Sequence, residues 1–467
     1  MARWEWLGER LTATMGERGK GTAARSLNTG FPIRYVLVAW LSVLSAVAYL
    51  DRTNISIAGT QIGREFAIDN THLGWVFSAF LIGYAGFQIP AGLLAKRLGP
   101  RRVLALGVIW WSVFTGLTTL IPASMRGAEL VLVLVRFALG AGEAVMYPAA
   151  SQFVERWFPV RERGKANGLV FAGVGIGAGL TPPLVTAIIL QYGWRTSFWF
   201  SALVGLAAGL IWYVAARDTP APHPLAGQQE KALIEAGRSV AAGAVNGSDA
   251  ILNGSNKASL RAVVGRNTTT MVALTVSYFA YGYVAWIFFA WIYIYLAQVR
   301  GLNLKTSAVY AMFPFIAMTC GSMLGGVVCD WIVGRIGLRT GRCLLPAISF
   351  AVTAVLLVLG SRAQSAQAAG LILAGGAGVL YLAQSSFFAV AADVGRDHVG
   401  VVSGVVNMGG QIGGACTATL TPLIAAHLGW EMSFMTAASL AGVGAAAWLI
   451  IDPSRTRGAG EDGDQGR

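Results

Sequence analysis

Four ionisable side chains lie inside stretches of sequence that are otherwise apolar. Asp51 and Arg52 are adjacent in the first such stretch, and Arg136 and Glu143 both lie in the fourth. A charge near the centre of a lipid bilayer costs about 3 kcal/mol or more unless it is paired or faces a polar cavity, so such charges are rare. Their presence predicts a membrane protein that handles a charged solute.

Arg52 is the candidate for binding an anion. A guanidinium presents a planar pair of N–H donors that matches both oxygens of a carboxylate, a geometry that lysine lacks. Residue 52 lies about 18 residues, or roughly 27 Å, along its predicted helix. The alternative is therefore that its side chain reaches the membrane surface. We predict that Arg52 binds the anionic group of a substrate in a cavity within the membrane.

Glu143 is the leading candidate for carrying a proton, with Asp51 second. Arg136 and Glu143 are seven residues apart, so two helical turns place them on one face. Burial disfavours the charged form of a carboxyl group while a neighbouring arginine favours it, and a carboxyl balanced between these effects can gain and lose a proton. The alternative is a permanent ion pair between Arg136 and Asp51 that braces the first and fourth helices.

The composition indicates an integral membrane protein. Hydrophobic residues make up 55% of the 467 residues and charged residues only 12%, whereas a soluble globular chain carries roughly 25% charged residues. The lipid bilayer is therefore a predicted partner. The four cysteines have no metal-ligand spacing, and we predict neither a metal nor a cofactor.

Twelve apolar stretches approach the roughly 20 residues that a helix needs to cross a bilayer core. We predict an all-α membrane protein with six-helix bundles at 34–216 and 269–452, joined by a polar cytoplasmic linker at 217–268. A cytoplasmic extension at 1–33 and a cytoplasmic tail at 453–467 complete the chain. The predicted spans are 34–58, 72–95, 102–122, 128–153, 165–190, 196–216, 269–297, 304–330, 342–361, 366–392, 399–425 and 430–452.

Lysine and arginine are distributed unequally between the two sides of the predicted membrane. With the N-terminus inside, 27 of them fall on the cytoplasmic side and 6 on the other. Cytoplasmic loops carry such an excess, so both termini are predicted to be cytoplasmic. This topology explains the net charge of +13, and we predict no nucleic-acid partner. The abundance of Ala, Gly and Arg favours a bacterial inner membrane.

The two halves of the chain repeat each other at a spacing of 236 residues. Gly140-Ala141-Gly142 recurs at 376–378, and Gly193-Trp194 with Ser197-Phe198 recurs at 429–434. Chance matches in a glycine-rich chain would not share one offset through Trp, Ser and Phe. Such a repeat is typical of a transporter whose substrate site lies near the midplane between the halves. Four glycines of the repeat are predicted to allow close helix packing: Gly173, Gly177, Gly409 and Gly413.

The loop after the second predicted helix resembles a family motif. Residues 92–102, Gly-Leu-Leu-Ala-Lys-Arg-Leu-Gly-Pro-Arg-Arg, are similar to the cytoplasmic gate motif Gly-x-x-x-Asp-Arg-x-Gly-Arg-Arg of the major facilitator superfamily. Lys96 stands where that family usually has Asp, whereas an echo of the motif in the second half keeps the acid. The resemblance implies a twelve-helix, two-bundle fold and a gate made by Arg97, Gly99, Arg101, Arg102 and Asp330.

Within that superfamily the chain resembles the anion:cation symporter family, which includes carriers of hexuronate, glucarate and galactonate. The strings that carry the resemblance are 49–58, Tyr-Leu-Asp-Arg-Thr-Asn-Ile-Ser-Ile-Ala, and 136–143, Arg-Phe-Ala-Leu-Gly-Ala-Gly-Glu. The resemblance implies that acids at the positions of Asp51 and Glu143 carry protons while the arginines alternate between acid and substrate. Six uncharged side chains are predicted to hydrogen-bond the substrate, with ordinary interhelical bonding as the alternative: Tyr49, Tyr84, Gln88, Asn407, Gln384 and Ser385.

These features predict a secondary active transporter that imports a small organic anion, such as a sugar acid or another carboxylate, by proton symport with alternating access. Sodium is the alternative coupling ion, because carboxylates also suit it. The sequence carries no enzyme domain and no ATP-binding loop, since the longest stretch outside the predicted spans is the linker. Each chain holds both halves, so a functional monomer is expected.

Three other functions stay open. An efflux antiporter usually carries a Gly-Pro-x-x-Gly-Gly signature in its fifth helix, which residues 173–183 do not match well. An organophosphate:phosphate exchanger usually has a second basic residue in its seventh helix, and none occurs between 271 and 297. A non-transporting nutrient sensor of this fold tends to carry a longer cytoplasmic tail than the one predicted here.

Overall fold

The computed structural model of the protein describes residues 32–159, 162–245, 256–395 and 399–452, so most of the predicted N-terminal extension and the C-terminal tail lie outside it. Across these ranges the regular elements are helices. Eleven helical segments are long and apolar enough to cross a membrane. The predicted eleventh span is also a helix, Val399–Leu428, but its glycines and polar residues lower its hydropathy. The all-α fold with twelve helical spans in two bundles is confirmed.

The first half contains seven helices because its fourth span is divided. Proline lacks an N–H and its ring clashes with the carbonyl four residues back, and Pro148 therefore interrupts the span near Ala144. The predicted span 128–153 is thus a pair of helices rather than one. The helices are α1 (Ile33–Phe66), α2 (Asn70–Leu98), α3 (Pro100–Thr119), α4 (Ala128–Glu143), α5 (Met146–Trp157), α6 (Arg163–Tyr192) and α7 (Trp194–Ala215).

The linker and the second half contain nine further helices and one π-helical turn, Tyr295–Val299. The helix of the seventh span begins well before residue 269, where the apolar run starts, and the span is kinked at Trp291. The tenth span is divided at Ala383 without a proline. The helices are α8 (Gln228–Val245), α9 (Asn256–Ala290), α10 (Ile292–Ile294), α11 (Leu304–Ile336), α12 (Leu338–Arg362), α13 (Ala366–Leu382), α14 (Gln384–Gly395), α15 (Val399–Leu428) and α16 (Trp430–Ile450).

Equivalent helices of the two halves pack on equivalent partners. In the first half α1 packs against α6, α2 against α4 and α3 against α7, and in the second α9 packs against α15, α11 against α13 and α12 against α16. Between the halves, α2 packs against α15 and α6 against α11. We call the end at which α1 begins and α7 ends the linker end, and the opposite end, where α2 begins, the far end.

The repeated glycines make these contacts close. A Cβ added to Gly177 of α6 would clash with the carbonyl oxygen of Ala46 on α1, and one added to Gly413 of α15 would clash with that of Phe279 on α9. Only glycine lets two helix backbones approach to this degree. The predicted packing role of these glycines agrees with the structure.

The linker folds back onto the first half and caps two of its helices. Asp218 accepts a hydrogen bond from the backbone N–H of Arg101 at 2.9 Å, at the start of α3. Glu230 of α8 accepts from the backbone N–H groups of Ile33 (3.3 Å) and Arg34 (3.1 Å) and pairs with the Arg34 guanidinium at 3.2 Å. The first N–H groups of a helix lack partners within it, so the linker supplies the acceptors that α1 and α3 need.

We expect Glu230→Ala to lower the free energy of unfolding by about 1–2 kcal/mol, as the loss of a helix cap does. Thermal unfolding of the purified protein measures the change. Glu235→Ala is the control, because Glu235 lies on the same helix and is exposed, and exposed substitutions change stability by about 0.5 kcal/mol or less. Equal unfolding midpoints for the two variants would contradict the capping role.

Candidate functional site

Two adjacent charges of α1 point in different directions. Successive residues of an α-helix are rotated by about 100°, so Arg52 shares a face with Ser56 while Asp51 shares another with Asn54. Arg52 and Ser56 line a cavity between the two halves. Asp51 and Asn54 instead face α3 and α7 inside the first half. One turn of helix therefore presents a cation to the cavity and an acid to the bundle interior.

Arg52 forms a buried ion pair with Glu143 of α4, to which its Nε donates. The two side chains are 2% and 0% exposed. Aromatic rings enclose the guanidinium, whose centre lies 4.4 Å from the ring centroid of Tyr84, 4.8 Å from that of Tyr49 and 5.3 Å from that of Phe80. Such rings attract a cation and shield it from water.

The ion pair leaves hydrogen-bonding capacity unused. Among the described residues, Nη2 of Arg52 and Oε2 of Glu143 have no hydrogen-bond partner although both are buried. Buried polar atoms are normally satisfied, and an exception calls for an explanation. An anion that entered the cavity would find a donor available on Arg52.

Arg136 lies beside this pair without bonding to it. Its guanidinium centre is 5.0 Å from the ring centroid of Phe80, so Phe80 lies against both arginines. Arg136 interacts with Asp51 and Glu143 at longer range, and no ion pair within 4.0 Å joins these described side chains to it. The permanent Arg136–Asp51 pair that the sequence left open is therefore absent from this conformation.

The formal charges of the four groups cancel when both acids are ionised. Asp51, Arg52, Arg136 and Glu143 are each 4% exposed or less. Buried charges are costly unless they are compensated, so an added anion must be accompanied by an added cation. Protonation of one acid leaves one uncompensated positive charge, which a single carboxylate can neutralise.

The cavity beside Arg52 has two chemically different sides. The first half contributes both arginines and Ser56, whereas the second contributes Trp286 and Phe289 of α9 with small apolar residues. A molecule that reaches Arg52 therefore meets cations on one side and aromatic rings on the other. The complete lining is Arg52, Ile55, Ser56, Phe77, Phe80, Leu81, Arg136, Trp286, Phe289, Ala290 and Ala418.

The uncharged candidates fall into three groups. Tyr49 and Tyr84 lie against Arg52, as given above. Gln88 and Asn407 bind each other across the halves, with Asn407 Nδ2 donating to Gln88 Oε1 at 2.9 Å. Two remain: Gln384 and Ser385 are partly buried at the start of α14. The Ser385 hydroxyl has no hydrogen-bond partner within the described ranges.

The two halves are hydrogen-bonded at the far end. Gln298 accepts from Asn70 Nδ2 at 3.2 Å and donates to Thr60 Oγ1 at 3.2 Å, so it joins the second half to α1 and α2. Ser78 of α2 donates to the carbonyl oxygen of Ala415 on α15 at 2.8 Å. These contacts close the cavity toward the far end.

The halves diverge toward the linker end. Gly175 of α6 packs closely on Thr319 of α11, but nothing lies within 4 Å of the Cβ position of Gly168, two turns away on the same face. The Cβ position of Gly404 on α15 is equally open. Of the hydrogen bonds that join described residues of the two halves, Gln88–Asn407 is the nearest to this end. The site therefore opens toward the linker end.

Two gate-motif residues are engaged within the first half. Gly99 has a φ of +88° in the turn between α2 and α3, a conformation that favours glycine. The Arg101 guanidinium donates to the carbonyl oxygen of Tyr213 at 2.9 and 2.6 Å. These contacts hold α3 against α7 and do not reach the other half.

The other gate-motif residues lie at the same end. Arg97 and Arg102 are exposed, as is Lys96. Asp330 pairs with Arg342 at 3.1 Å, inside the second half. Because the halves are apart at the linker end, the structure brings no member of the predicted gate across the gap between them in the part of the chain that it describes.

Sequence reasoning missed Phe80 and Tyr147. Phe80 precedes Tyr84 by one turn of α2, a spacing that places both on one face and could have identified it. Tyr147 follows Glu143 by four residues, and its hydroxyl lies 3.0 Å from that of Ser45. No motif marked either residue, because aromatic side chains are common in apolar helices.

Comparisons with known proteins agree with this architecture. The model of the family described as Major Facilitator Superfamily matches residues 41–418. The "Probable sulfoacetate transporter SauU" of Cupriavidus necator is 30% identical over 427 residues, which cover 91% of this chain and 95% of that protein. The "Probable galactarate/D-glucarate transporter GarP" of Escherichia coli is 26% identical over 432 residues, covering 90% and 94%.

Two solved structures share the fold at low sequence identity. A bacterial homologue of the human lysosomal transporter Spinster, in an inward-facing and unoccupied conformation, has a TM-score of 0.73 at 17% identity and covers 91% of this chain and 98% of that one. A D-xylose-proton symporter has a TM-score of 0.69 at 15% identity, with coverage of 90% and 98%. These likenesses concern the fold alone.

Proposed function

The chain belongs to the Major Facilitator Superfamily, and on this premise we propose that it is a proton symporter that imports a small organic anion. The family and the relatives above are transporters, so the chain is a membrane transporter and not an enzyme. The observation that carries the proposal is the buried Arg52–Glu143 pair beside a cavity between the halves.

Coupling follows from competition for one guanidinium. Glu143 occupies Arg52 while it is ionised, and protonation of Glu143 weakens that pair and frees the donors of Arg52. A substrate carboxylate then takes the place of the Glu143 carboxylate, so the buried charge stays balanced. Asp51 and Arg136 form the second acid and base of the cluster. Anion and proton therefore bind together more readily than either does alone.

The substrate class is a small carboxylate, such as a sugar acid. Tyr49 and Tyr84 beside Arg52 offer hydroxyl groups, and Gln88, Asn407, Gln384 and Ser385 offer further donors and acceptors toward the linker end. The names of relatives support an organic anion, since they include carriers of sulfoacetate and of galactarate or D-glucarate. The Gln88–Asn407 hydrogen bond would open to admit a hydroxylated substrate.

Alternating access requires the halves to rock about the site. The excess of Lys and Arg places the linker end and both termini in the cytoplasm of a bacterial cell, with the protein in its inner membrane. The cavity of this structure would then open to the cytoplasm. In the opposite conformation Arg97, Gly99, Arg101, Arg102 and Asp330 would meet across the linker end as the gate. A single chain contains all of these parts, so it acts as a monomer.

Uptake into proteoliposomes tests the proposal. The purified protein is offered a panel of labelled sugar acids, aromatic acids, dicarboxylates and phosphate esters, with an imposed gradient of protons, of sodium, or of neither. We expect one carboxylate class to accumulate with the proton gradient and a protonophore to abolish the accumulation. A neutral sugar serves as the control substrate and is not expected to accumulate.

Other outcomes point to other functions. Accumulation driven by a sodium gradient alone would replace the proton as coupling ion. Proton-driven extrusion of lipophilic cations, without uptake of any carboxylate, would overturn the proposal in favour of an efflux antiporter. Exchange of phosphate esters for phosphate without either gradient would identify an antiporter of organophosphates.

A further inference from the structure

A chain of buried hydrogen bonds lies behind Asp51, away from the substrate cavity. Ser197 Oγ of α7 donates to Asn54 Oδ1 at 2.8 Å, and Asn54 Nδ2 donates to Ser201 Oγ at 3.1 Å. All three side chains are 2% exposed or less. Asn54 is thereby held from both ends of its amide, and it fixes the position of the Ser201 hydroxyl.

The direction of these bonds leaves one proton unassigned. Ser201 Oγ accepts from Asn54, so its own O–H remains available, and the described residues offer it no other acceptor. Ser201 and Thr115 of α3 are the hydroxyl groups that interact with the Asp51 carboxylate. Both oxygens of that buried carboxylate lack a partner at normal hydrogen-bond geometry among the described residues, which the Ser201 proton can supply after a small rotation.

The second half lacks this arrangement at equivalent positions. Helices α1 and α9 correspond at a spacing of 233 residues, given by the carbonyls that contact paired glycines, so Asp51 corresponds to Val284. Ser201 corresponds at 236 to Ala437, whereas the other serine is retained as Ser433, which is also buried. A hydroxyl at position 201 is thus absent from the half that has no acid to bind, so fold alone does not demand it.

We propose that Ser201, fixed by Asn54 and Ser197, is a positioning residue that donates a hydrogen bond to ionised Asp51 and so sets the pH range in which Asp51 takes up its proton. The inference rests on the proton coupling proposed above. The charged groups that also face Asp51 are Arg136 and Glu143 of α4, with Arg52 next to it on α1. Ser201 differs from them in being neutral, so it tunes the acid without changing the charge of the site.

The pH profile of proton-driven uptake tests this role. Removal of a hydrogen bond to a charged carboxylate disfavours its ionised form, so in Ser201→Ala we expect the pH of half-maximal uptake to rise by about 1 unit, the size of one such bond. Ser201→Thr keeps the hydroxyl and should restore the profile. Ser433→Ala is the matched control from the repeat and should leave the profile unchanged.

Each result bears on the inference separately from the proposed function. A pH-dependent wild type with an unshifted Ser201→Ala profile would overturn the role of Ser201 alone, as would equal shifts in Ser201→Ala and Ser433→Ala. Carboxylate uptake by the wild type that does not depend on pH would overturn the proton coupling itself. If Ser201→Ala does not fold, Ser201→Cys takes its place, because a thiol of similar size is a weak donor and should shift the profile in the same direction.

Discussion

Arg52→Ala is expected to weaken the binding of every carboxylate substrate by about 100-fold or more. Truncation of one member of a buried charge pair typically costs about 2–5 kcal/mol, and 1.4 kcal/mol corresponds to a factor of ten in affinity. Arg52→Lys should recover only part of the loss, because an ammonium cannot bind both oxygens of a carboxylate in one plane. Ligand-induced thermal stabilisation of the purified protein measures the affinities.

Two further variants separate binding from folding. Arg362→Ala removes an exposed arginine that pairs with Glu431 at the far end and should leave the affinities unchanged. Arg52→Ala leaves Glu143 as an unpaired buried charge, which destabilises the fold. The double variant with Glu143→Gln relieves that charge and should still fail to bind. Carboxylate binding that persists in the double variant would refute the anion site at Arg52.

Glu143→Gln is expected to abolish proton-driven accumulation of the substrate while preserving its binding. In the wild type, ionised Glu143 competes with the substrate for Arg52, so the affinity should fall as the pH rises through the titration of Glu143. Glutamine cannot ionise, so the affinity of the variant should not change with pH and should exceed that of the wild type at high pH. Binding titrations at several pH values and uptake against a gradient measure the two effects.

Glu129→Gln is the matched control, since Glu129 lies at the far-end start of the same helix and is partly exposed. It should retain both the pH dependence of binding and the accumulation. If Glu143→Gln kept the pH dependence of the wild type, Glu143 would not be the group that competes for Arg52. Asp51 would then be the acid that couples the proton to the substrate.

The helical spans of this protein could be predicted because a bilayer imposes a local rule. A span needs a run of apolar residues of fixed length, and the composition of each run is visible without any knowledge of its neighbours. The same holds for the repeat, whose spacing through Gly193 and Gly429 is a property of the sequence alone. Pro148 shows the limit, because its effect on the fourth span depends on local backbone geometry that an apolar count ignores.

The charged residues could be recognised for a related reason. An ionisable side chain in a predicted span is costly in lipid, so Asp51, Arg52, Arg136 and Glu143 stood out by type and position. Helical periodicity placed Arg136 and Glu143 on one face, and it suggested that they would act together. The structure instead pairs Glu143 with Arg52, which lies 91 residues away in the chain.

The sequence by itself determined which residues enter the membrane, how many helices carry them and which side chains have the chemistry to bind an anion or a proton. Only the tertiary structure decided their partners: Glu143 with Arg52, Gln88 with Asn407, and Ser201 with Asn54. The physical reason is that periodicity fixes which residues share a face of one helix. The rotation of that helix against its neighbours depends on close packing at distant glycines such as Gly177 and Gly413, and no local pattern records it.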